Sequence, residues 1–491
     1  MQVTPHIFYP MGTANKYADW IGITPANENP DTQCFCYVFD IASDHPQGHF
    51  FYHTHRHGAA TMQAWQGMFG NMLVGTQTFP GSITSQLADK GIFREEPLVL
   101  WEWNVLANDT ATGVPNTYIE GQFLGKQTTE YLTNNEYQPT FTACVGESIH
   151  FLALCSMSNS ASALYVLDEN DNVVNFYVFA SDGISYGGVY NKTMIVIGQA
   201  QREALLMQFT KVGTYRIMSS IVPSPTLYAH PAAYVTVTNH ACLGDFTDLS
   251  KLTFQPGITD TISNSEIAAT LSVAYQTNKE RDQVPVFQFT TNNQVFNSQT
   301  IDATLPMGTA QQWILSSANA FHPFHIHVSP FQVVSIAIAA GAVPGTLPGG
   351  TLQTELGLIE PALKWRDTVL LPPNSFLTIN QRFADPSGVS WAGKTVFHCH
   401  NLAHEDQGME STFVLFDPSQ QGNPLCSQLN TTCQSDADCC GYNHTHPTVQ
   451  CGSNHHLSNV CLKCSGKGSK CSSSKECCHR HAKCQKRRCT K

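Results

Sequence analysis

Charged residues make up only 13% of this 491-residue chain, and long apolar runs are missing. No stretch of about 18 or more apolar residues occurs, so the sequence predicts no transmembrane segment. The net charge is −11, and it is unevenly spread. From Cys426 onward, Lys and Arg number ten and Asp and Glu three, so a basic tail follows an acidic body. An acidic body of this kind argues against nucleic acid as a partner.

Gly (34 residues), Pro (26) and aromatic residues (10%) are plentiful, a composition that favours short strands and turns over helices. Apolar or alternating segments recur between Gly, Pro, Asn and Asp clusters, as at Pro97–Trp103, Ser148–Leu154 and Phe331–Ile338. The sequence therefore predicts an all-β chain of sandwich domains. Linker-like stretches at 76–96 and 242–278 divide it into units at about 1–80, 90–240 and 275–418. The first unit is short for a sandwich of roughly 100 residues.

The tail at 426–491 contains twelve of the 18 cysteines, in two blocks that each begin C-x6-C-x5-CC. Dense, regularly spaced cysteines predict disulfides and an oxidising compartment. The competing interpretation is a metal site, because six histidines lie nearby: His444, His446, His455, His456, His479 and His481. Paired CC within two matching blocks favours disulfides. Outside the tail and the HCH segment, Cys34, Cys36, Cys144, Cys155 and Cys242 are an odd number, and the sequence does not define their pairing.

Four N-x-S/T sequons, at Asn108, Asn191, Asn430 and Asn443, are compatible with secretion. The chain begins MQVTPHIFYP, which has neither the basic nor the apolar segment of a signal peptide. We expect a secreted protein whose start lies upstream of Met1.

Three histidine clusters carry the chemistry: FYHTHRHG, HPFHIHVSPFQVV and HCHNLAHEDQGM. A single H-x-H pair is usually structural, but three pairs with an embedded cysteine indicate a metal centre. Residues i and i+2 of a strand share a face, so His398 and His400 point one way and Cys399 the other. Cys399 can therefore bind one metal centre while its neighbours bind a second. His322, Cys399 and His404, with Met409 as a weaker axial ligand, form a blue-copper ligand set.

With these motifs, residues 1–418 resemble the three-domain multicopper oxidases, a group that includes laccases, bilirubin oxidases and spore-coat laccases. The segments GQAQREALLMQF and WRDTVLLPPNSFLTI extend the resemblance beyond the histidines. It implies three cupredoxin-like Greek-key β-sandwiches, the first one incomplete. The resemblance of the tail to inhibitor cystine-knot modules implies first–fourth, second–fifth and third–sixth disulfide pairing in each block.

The resemblance also implies roles for individual residues. His322, Cys399, His404 and Met409 would form a type 1 copper site, and His325 would bind a type 2 copper. The binuclear type 3 pair would be held by five histidines: His53, His55, His327, His398 and His400. Glu405 would be a proton-relay acid, and Asp19 is the weaker candidate for a second one.

The family's first copper loop, H-x-H-G, has no match about 45 residues before His53, where Met1 and Val3 stand instead. Either the protein begins further upstream, which we prefer, or the oxygen site is degenerate. The corresponding functions are an oxidase and a non-catalytic copper-binding electron carrier. The oxidase would take single electrons from a small molecule or metal ion and reduce O₂ to water, with up to four copper ions. The sequence does not specify the reductant, and the basic tail could contact anionic polysaccharide or cell wall.

Overall fold

The computed structural model describes residues 45–416 apart from positions 56, 59, 66, 76–81, 107–115, 118–126, 158–159, 223–228, 241–247, 280–286, 299, 360–363 and 384–392, together with four short strands between residues 449 and 490. Several predictions lie outside the described residues: Asp19, the pairing of Cys34, Cys36 and Cys242, and most of the two tail modules. No described helix is long and apolar enough to cross a membrane.

The N-terminal described part is an antiparallel hairpin with two short helices. Its elements are β1 (Gly48–His53), α1 (Ala60–Trp65), β2 (Phe69–Val74) and α2 (Ile83–Ala88). Ser82 caps α2 by accepting a hydrogen bond from the Ser85 backbone N–H. The hairpin carries one H-x-H pair: β1 ends at His53, and His55 follows in the loop before α1.

A β-sandwich follows, made of a seven-stranded and a six-stranded sheet. Its strands are β3 (Arg94–Leu106), β4 (Asn116–Thr117), β5 (Gln127–Thr133), β6 (Thr140–Cys144), β7 (Ser148–Cys155), β8 (Ala161–Leu167), β9 (Val173–Val174), β10 (Phe176–Ser181), β11 (Ile184–Lys192), β12 (Met194–Ile197), β13 (Arg202–Gln208), β14 (Gly213–Val222) and β15 (Ala229–Thr238). The first sheet has the order β11-β10-β13-β7-β3-β4, with β5 on β3. The second has the order β12-β8-β14-β15-β6, with β9 on β8.

A second sandwich contains a six-stranded and a five-stranded sheet. Its elements are β16 (Ile267–Lys279), β17 (Phe287–Thr291), β18 (Ala303–Pro306), β19 (Ala310–Ser317), β20 (His322–Ile326), β21 (Phe331–Ile338), β22 (Thr346–Leu347), β23 (Gly350–Thr351), α3 (Leu352–Gly357), β24 (Trp365–Arg366), β25 (Thr368–Leu371), β26 (Ser375–Arg382), β27 (Gly393–Cys399), α4 (Leu402–Asp406) and β28 (Glu410–Phe416). The sheets have the orders β17-β16-β19-β26-β21-β24 and β18-β28-β27-β20-β25, and β22 pairs with β23. Two short 3-10 turns, Leu249–Lys251 and Asn264–Glu266, lie before this sandwich.

β16 begins at Ile267, inside the stretch predicted to be a linker. The linker was predicted from the polar composition of residues 242–278. β16 nevertheless pairs with β19 in a long parallel register, and one of its faces is covered. The polar residues of β16 lie on its outer face, which stays in contact with solvent.

Each sandwich encloses its own apolar core. The second core contains Trp313, Phe324 and Phe413, all fully buried, together with Cys399 and Met409. The prediction of a mostly β chain is confirmed, since the described helices are short.

The tail is described only as two antiparallel pairs of strands. These are β29 (Val449–Gly452) with β30 (Val460–Lys463), and β31 (Lys483–Gln485) with β32 (Arg488–Thr490). In the body, Cys144 is disulfide-bonded, whereas Cys155 and Cys399 are buried free thiols.

Candidate metal centre

The first donor group consists of His322, Cys399 and His404. The two Nδ1 atoms are 3.1 Å apart, and Cys399 Sγ lies 3.5 Å from Nδ1 of His322 and 3.7 Å from Nδ1 of His404. Donor atoms that share one ion at metal–ligand distances of about 2.0–2.3 Å are separated by this much. The ring of His404 stacks on Phe289, with centroids 4.2 Å apart, which fixes its orientation.

Met409, the predicted axial ligand, is fully buried in the same core as Cys399. Its backbone carbonyl accepts a hydrogen bond of 3.0 Å from the Cys399 N–H, and its own N–H donates to the His404 carbonyl at 2.9 Å. The structure thus places Met409 between two members of the first group. Its role as a ligand stays a prediction.

The second donor group brings together three histidines from distant parts of the sequence. The Nε2 atoms of His55, His327 and His398 lie 3.1 Å from one another in all three pairings. His55 comes from the N-terminal hairpin and the other two from the second sandwich. An equilateral triangle of imidazole nitrogens is a ligand set for a single ion.

Two further histidines, His53 and His400, form a pair beside this triangle, with their Nε2 atoms 3.2 Å apart. The last predicted ligand, His325, has its ring 5.4 Å from those of His398 and His400 and 5.1 Å from that of His327. All six histidines predicted for the oxygen site are therefore adjacent. Within the described residues, the pair and the single histidine contribute two donors and one donor.

Backbone carbonyls determine which ring nitrogen of these histidines is free. A carbonyl oxygen only accepts, so Nδ1 of His325 donates to the Asp367 carbonyl at 2.9 Å, and Nδ1 of His53 donates to the Thr54 carbonyl at 2.8 Å. In each ring, Nε2 then carries a bare lone pair. Fixing one nitrogen in this way is typical of metal-binding histidines.

Burial keeps the imidazoles neutral. It is the main cause that lowers the pKa of His322 and of His53 to about 3, and it moves the pKa values of His325, His327 and His400 well below the usual range. Neutral imidazole is the form that binds metal. Burial also raises the pKa of the Cys399 thiol well above its usual value, and a bound cation is what would deprotonate it.

The strand β27 joins the two donor groups. His325 lies opposite His398 and Phe324 opposite Cys399 in the antiparallel register of β20 with β27. Because side chains alternate along a strand, Cys399 faces the core with the first group while His398 and His400 face the second group. The structure therefore places Cys399 on one side of the HCH segment and the two histidines on the other, as the spacing predicted.

Glu405, on α4, is fully buried next to the triangle. Its Oε2 lies 2.9 Å from Nδ1 of His398 and its Oε1 lies 3.6 Å from Nδ1 of His55. Neither carboxylate oxygen makes a well-formed hydrogen bond within the described residues. Burial is the main cause that raises the pKa of Glu405, to about 8. A carboxyl group in this position can hold a proton near neutral pH.

The sequence reasoning missed Asp406, which anchors the loop that carries His55. Its Oδ1 accepts hydrogen bonds from the backbone N–H groups of Gly58 (2.7 Å) and Ala60 (3.2 Å), and its Oδ2 accepts one from Thr61 (2.8 Å). It thereby caps α1, which also packs against α4. The only signal for it was the acidic pair in HEDQG.

A second missed feature is a buried ion pair between the two sandwiches. Arg202 donates to both oxygens of Asp367, at 2.9 and 2.7 Å, and both side chains are 1% exposed. Asp182 approaches Arg202 at 3.5 Å and accepts from the backbone N–H groups of Asp367 and Thr368. The same Asp367 orients His325 through its carbonyl, so sandwich docking and ligand orientation share one residue.

The donor sets fit copper. One cysteine and two histidines, with a nearby methionine, match the blue-copper set, and imidazole clusters suit either copper oxidation state.

Comparison with known proteins finds similarity to one family over the second sandwich. Residues 267–418 match a family model described as multicopper oxidase. A bilirubin oxidase of Albifimbria verrucaria is 31% identical over 113 residues, which cover 23% of this chain and 17% of that protein. A laccase of Bacillus subtilis (strain 168) is 27% identical over 126 residues, which cover 24% and 22%. The matched part thus spans about a fifth of the length of these curated relatives.

Solved structures are similar over more of the chain. McoA multicopper oxidase from Aquifex aeolicus has a TM-score of 0.59 at 19% identity and covers 77% of each chain. A multicopper oxidase from Campylobacter jejuni has a TM-score of 0.56 at 18% identity and covers 77% of this chain and 73% of that one. These likenesses confirm the prediction of cupredoxin-like β-sandwiches. The family match implies copper as the metal.

Proposed function

We propose that this protein is a multicopper oxidase that couples one-electron oxidation of a reducing substrate to reduction of O₂ to water. The observation that carries the proposal is the pair of donor groups on the two faces of β27, joined through Cys399. Copper bound there would supply the redox chemistry, accepting four single electrons in turn and delivering them with four protons to one O₂. A family match at residues 267–418 and relatives named laccase and bilirubin oxidase support it.

In this proposal His322, Cys399 and His404 would hold the type 1 copper, with Met409 as a weaker fourth ligand. His322, Cys399 and Met409 are fully buried, His404 is partly exposed, and the stacking of Phe289 on His404 limits ring movement. A rigid site reduces the rearrangement that accompanies electron transfer. The reductant is a phenol-like molecule or a metal ion, which delivers its electron to this site.

The remaining histidines hold the oxygen-reducing cluster. His55, His327 and His398 would hold one type 3 copper, His53 and His400 would contribute to the other, and His325 would contribute to the type 2 copper. The family's first H-x-H-G loop would complete the last two sites.

Glu405 serves in this proposal as the proton donor of the oxygen site. Its carboxyl group holds a proton on Oε1 or Oε2, within 2.9–3.6 Å of the two imidazoles that it contacts. Because the side chain is buried, that proton passes to the site and not to bulk water. Asp19 is proposed as a second acid on the sequence resemblance alone.

The test combines copper analysis, absorption and EPR spectra, and O₂ uptake with a phenolic reductant. We expect an intense thiolate-to-copper absorption in the visible range and O₂ consumption that depends on the reductant. Cys399→Ser should abolish both the visible band and the O₂ uptake. Cys155→Ser is the matched control, because Cys155 is the other fully buried free thiol of the described residues and lies in the other sandwich.

Two outcomes would contradict the proposal. A copper-loaded protein with the visible band but no O₂ uptake would be an electron carrier and not an oxidase. Loss of the band in Cys155→Ser but not in Cys399→Ser would place the copper site elsewhere.

We further propose that the protein is secreted and that its tail consists of two cystine-knot-like modules. The sequons, the two six-cysteine blocks and the basic charge of the tail support this. Contact of the tail with anionic polysaccharide or cell wall follows from the same charge. Mass analysis of secreted protein, with and without reduction, should show that the twelve cysteines of residues 426–491 form six disulfides. Free thiols in this segment would contradict the proposal.

A further inference from the structure

A cavity lies between the two sandwiches, and none of the proposed copper ligands lines it. Its volume is about 100 Å³, which is room for several water molecules or a small organic molecule. The first sandwich contributes Tyr186 and Lys192 of β11 and Glu203 of β13, and the second contributes Glu355 of α3 and Arg366 of β24. Interfaces between domains are a common place for ligand sites.

The charged side chains that line this cavity do not balance. Two ion pairs cross from one sandwich to the other: Nζ of Lys192 lies 3.2 Å from Oε1 of Glu355, and Arg366 donates to Oε1 of Glu203. The fifth charged group, Lys364, makes no ion pair with a carboxylate of the described residues. Three cations thus face two carboxylates, so the protonated cavity has an excess of one positive charge.

Lys364 is the group in which this excess resides. Its Nζ lies 4.5 Å from the centroid of the Tyr186 ring, and a ring face attracts a cation without neutralising its charge. Two other cations, Arg366 and Lys192, lie near enough to repel it. A partly buried ammonium in these surroundings is stabilised by an anion placed beside it.

The remaining wall of the cavity is mainly apolar. Val333, Ile336 and Leu377 line it from the second sandwich, and Val178 and Ile195 line it from the first. A strongly hydrated inorganic anion is disfavoured there, because apolar side chains cannot replace its water. An organic anion fits both parts of the wall, with its charge against Lys364 and its body against the apolar side chains. A carboxylate carries the single charge that the excess requires, whereas a phosphate monoester carries about two.

The protonation of Lys364 gives such a site a pH dependence. Burial is the main cause that lowers the pKa of Lys364, to about 7, and Arg366 is the second cause. The charged groups around it belong to both sandwiches: Arg366, Lys192, Glu203, Glu355 and Asp182. Tyr186 is neutral, since burial raises its pKa well above the usual value. A bound anion would raise the pKa of Lys364 again, so its affinity is full below about pH 7 and falls as the pH rises above that value.

We propose that this cavity binds a small monocarboxylate with an apolar body, such as an aromatic acid, through the ammonium group of Lys364. The apolar side chains of both sandwiches hold the body of the ligand. The bound molecule therefore bridges the two sandwiches, at a site that is separate from the copper centre.

The test is isothermal titration calorimetry of full-length, copper-loaded protein with benzoate. We expect one benzoate per chain at about pH 6, with no change in the visible copper absorption. Benzyl alcohol has a similar body without the charge, and it should bind at least tenfold more weakly. The affinity for benzoate, which stays ionised throughout, should fall tenfold or more between about pH 6 and about pH 9.

Substitutions of Lys364 test whether its charge is responsible. Lys364→Met keeps the length of the side chain without the charge and should abolish binding. Lys364→Arg keeps a charge that does not titrate in this range, so its affinity for benzoate should not vary with pH. Lys394→Met is the matched control and should bind as the wild type does. Lys394 is also a lysine of the second sandwich whose pKa burial lowers, but it does not line the cavity.

The proposal is overturned if the wild type binds no benzoate at millimolar concentration, or if its affinity is the same at about pH 6 and about pH 9. Wild-type binding in Lys364→Met would place the anion elsewhere, and loss of binding in Lys394→Met would show that the effect is not specific to the cavity. If Lys364→Met does not fold, Lys364→Arg decides: an affinity that falls with pH as in the wild type would overturn the proposal.

Discussion

The buried ion pair between Arg202 and Asp367 gives the most demanding prediction, through the substitution Asp367→Asn. Asparagine keeps the shape of the side chain and can still accept one hydrogen bond, but it removes the negative charge. Arg202 is 1% exposed and cannot recover water as a partner. Its charge would then be compensated by Asp182, at 3.5 Å, and more weakly by Glu203.

Breaking a buried pair by removing one partner costs about 3–5 kcal/mol, because the other charge stays buried. Asp182 still compensates part of the charge, so we expect the lower end, about 3 kcal/mol. For a cooperative unit of about 150–250 residues, 1 kcal/mol shifts Tm by about 2–4 °C. The two values combine to a drop in Tm of roughly 6–12 °C.

Scanning calorimetry or circular dichroism at one fixed scan rate measures this drop. The matched control is Asp260→Asn, which also removes an aspartate from an arginine, here Arg382. Asp260 is 61% exposed, and exposed pairs contribute about 0–1 kcal/mol. Its Tm should change by a few degrees at most.

Equal Tm changes in Asp367→Asn and Asp260→Asn would refute the reasoning, because burial would then have no energetic effect. A large drop confined to the control would refute it as well.

Three further predictions address other parts of the chain. Asp406→Ala removes the charged acceptor of three backbone N–H groups. If the free energy of local opening falls by about 1.4 kcal/mol, amide hydrogen exchange in the segment 57–65 should accelerate by about tenfold or more. Unchanged exchange there would contradict the capping role. Trp313→Ala leaves a cavity in the second core and should cost about 3–5 kcal/mol in urea unfolding followed by circular dichroism; a loss below about 1 kcal/mol would mean that the core collapses around it. The hydrogen bond from His150 is the main cause that lowers the pKa of Glu95. The ionised Glu95 therefore contributes its full stabilisation above the ordinary carboxyl pKa of 4.5, and this stabilisation is lost as the pH falls through the lowered pKa. The Tm difference between wild type and Glu95→Gln should therefore shrink between about pH 6 and pH 3, and a difference that grows instead would reverse the sign of the argument.

The sequence predicted those parts of the structure that depend on local spacing. Strand alternation was enough to separate Cys399 from His398 and His400, and β7 and β21 lie within a residue of their predicted positions. The H-x-H spacing also identified His55 and His327 as candidates. Their meeting at 3.1 Å needs a fold, because 272 positions separate them in the chain.

The features that escaped prediction depend on contacts between distant segments. Nothing in GQAQREALLMQF indicates that Arg202 faces Asp367, because an arginine in a strand is usually exposed. His49 stands in a strand beside recognised ligands, and the pocket that it shares with His150 of the first sandwich appears only in the fold. Polar groups that are buried in pairs have no periodic signature of their own, which is why the sequence pattern could not reveal them.

The distribution of the donor groups over the chain has a consequence for how the protein matures. His322, Cys399, His404 and Met409 all belong to the second sandwich, so that sandwich can capture a metal ion as soon as it has folded. The triangle also needs His55 from the N-terminal hairpin, and it can form only after the hairpin has docked, held by Asp406. We therefore expect metal acquisition in two steps, in which the visible absorption of the first site appears before the second site has formed. The delay between the two steps then reports the order in which the parts of the molecule assemble.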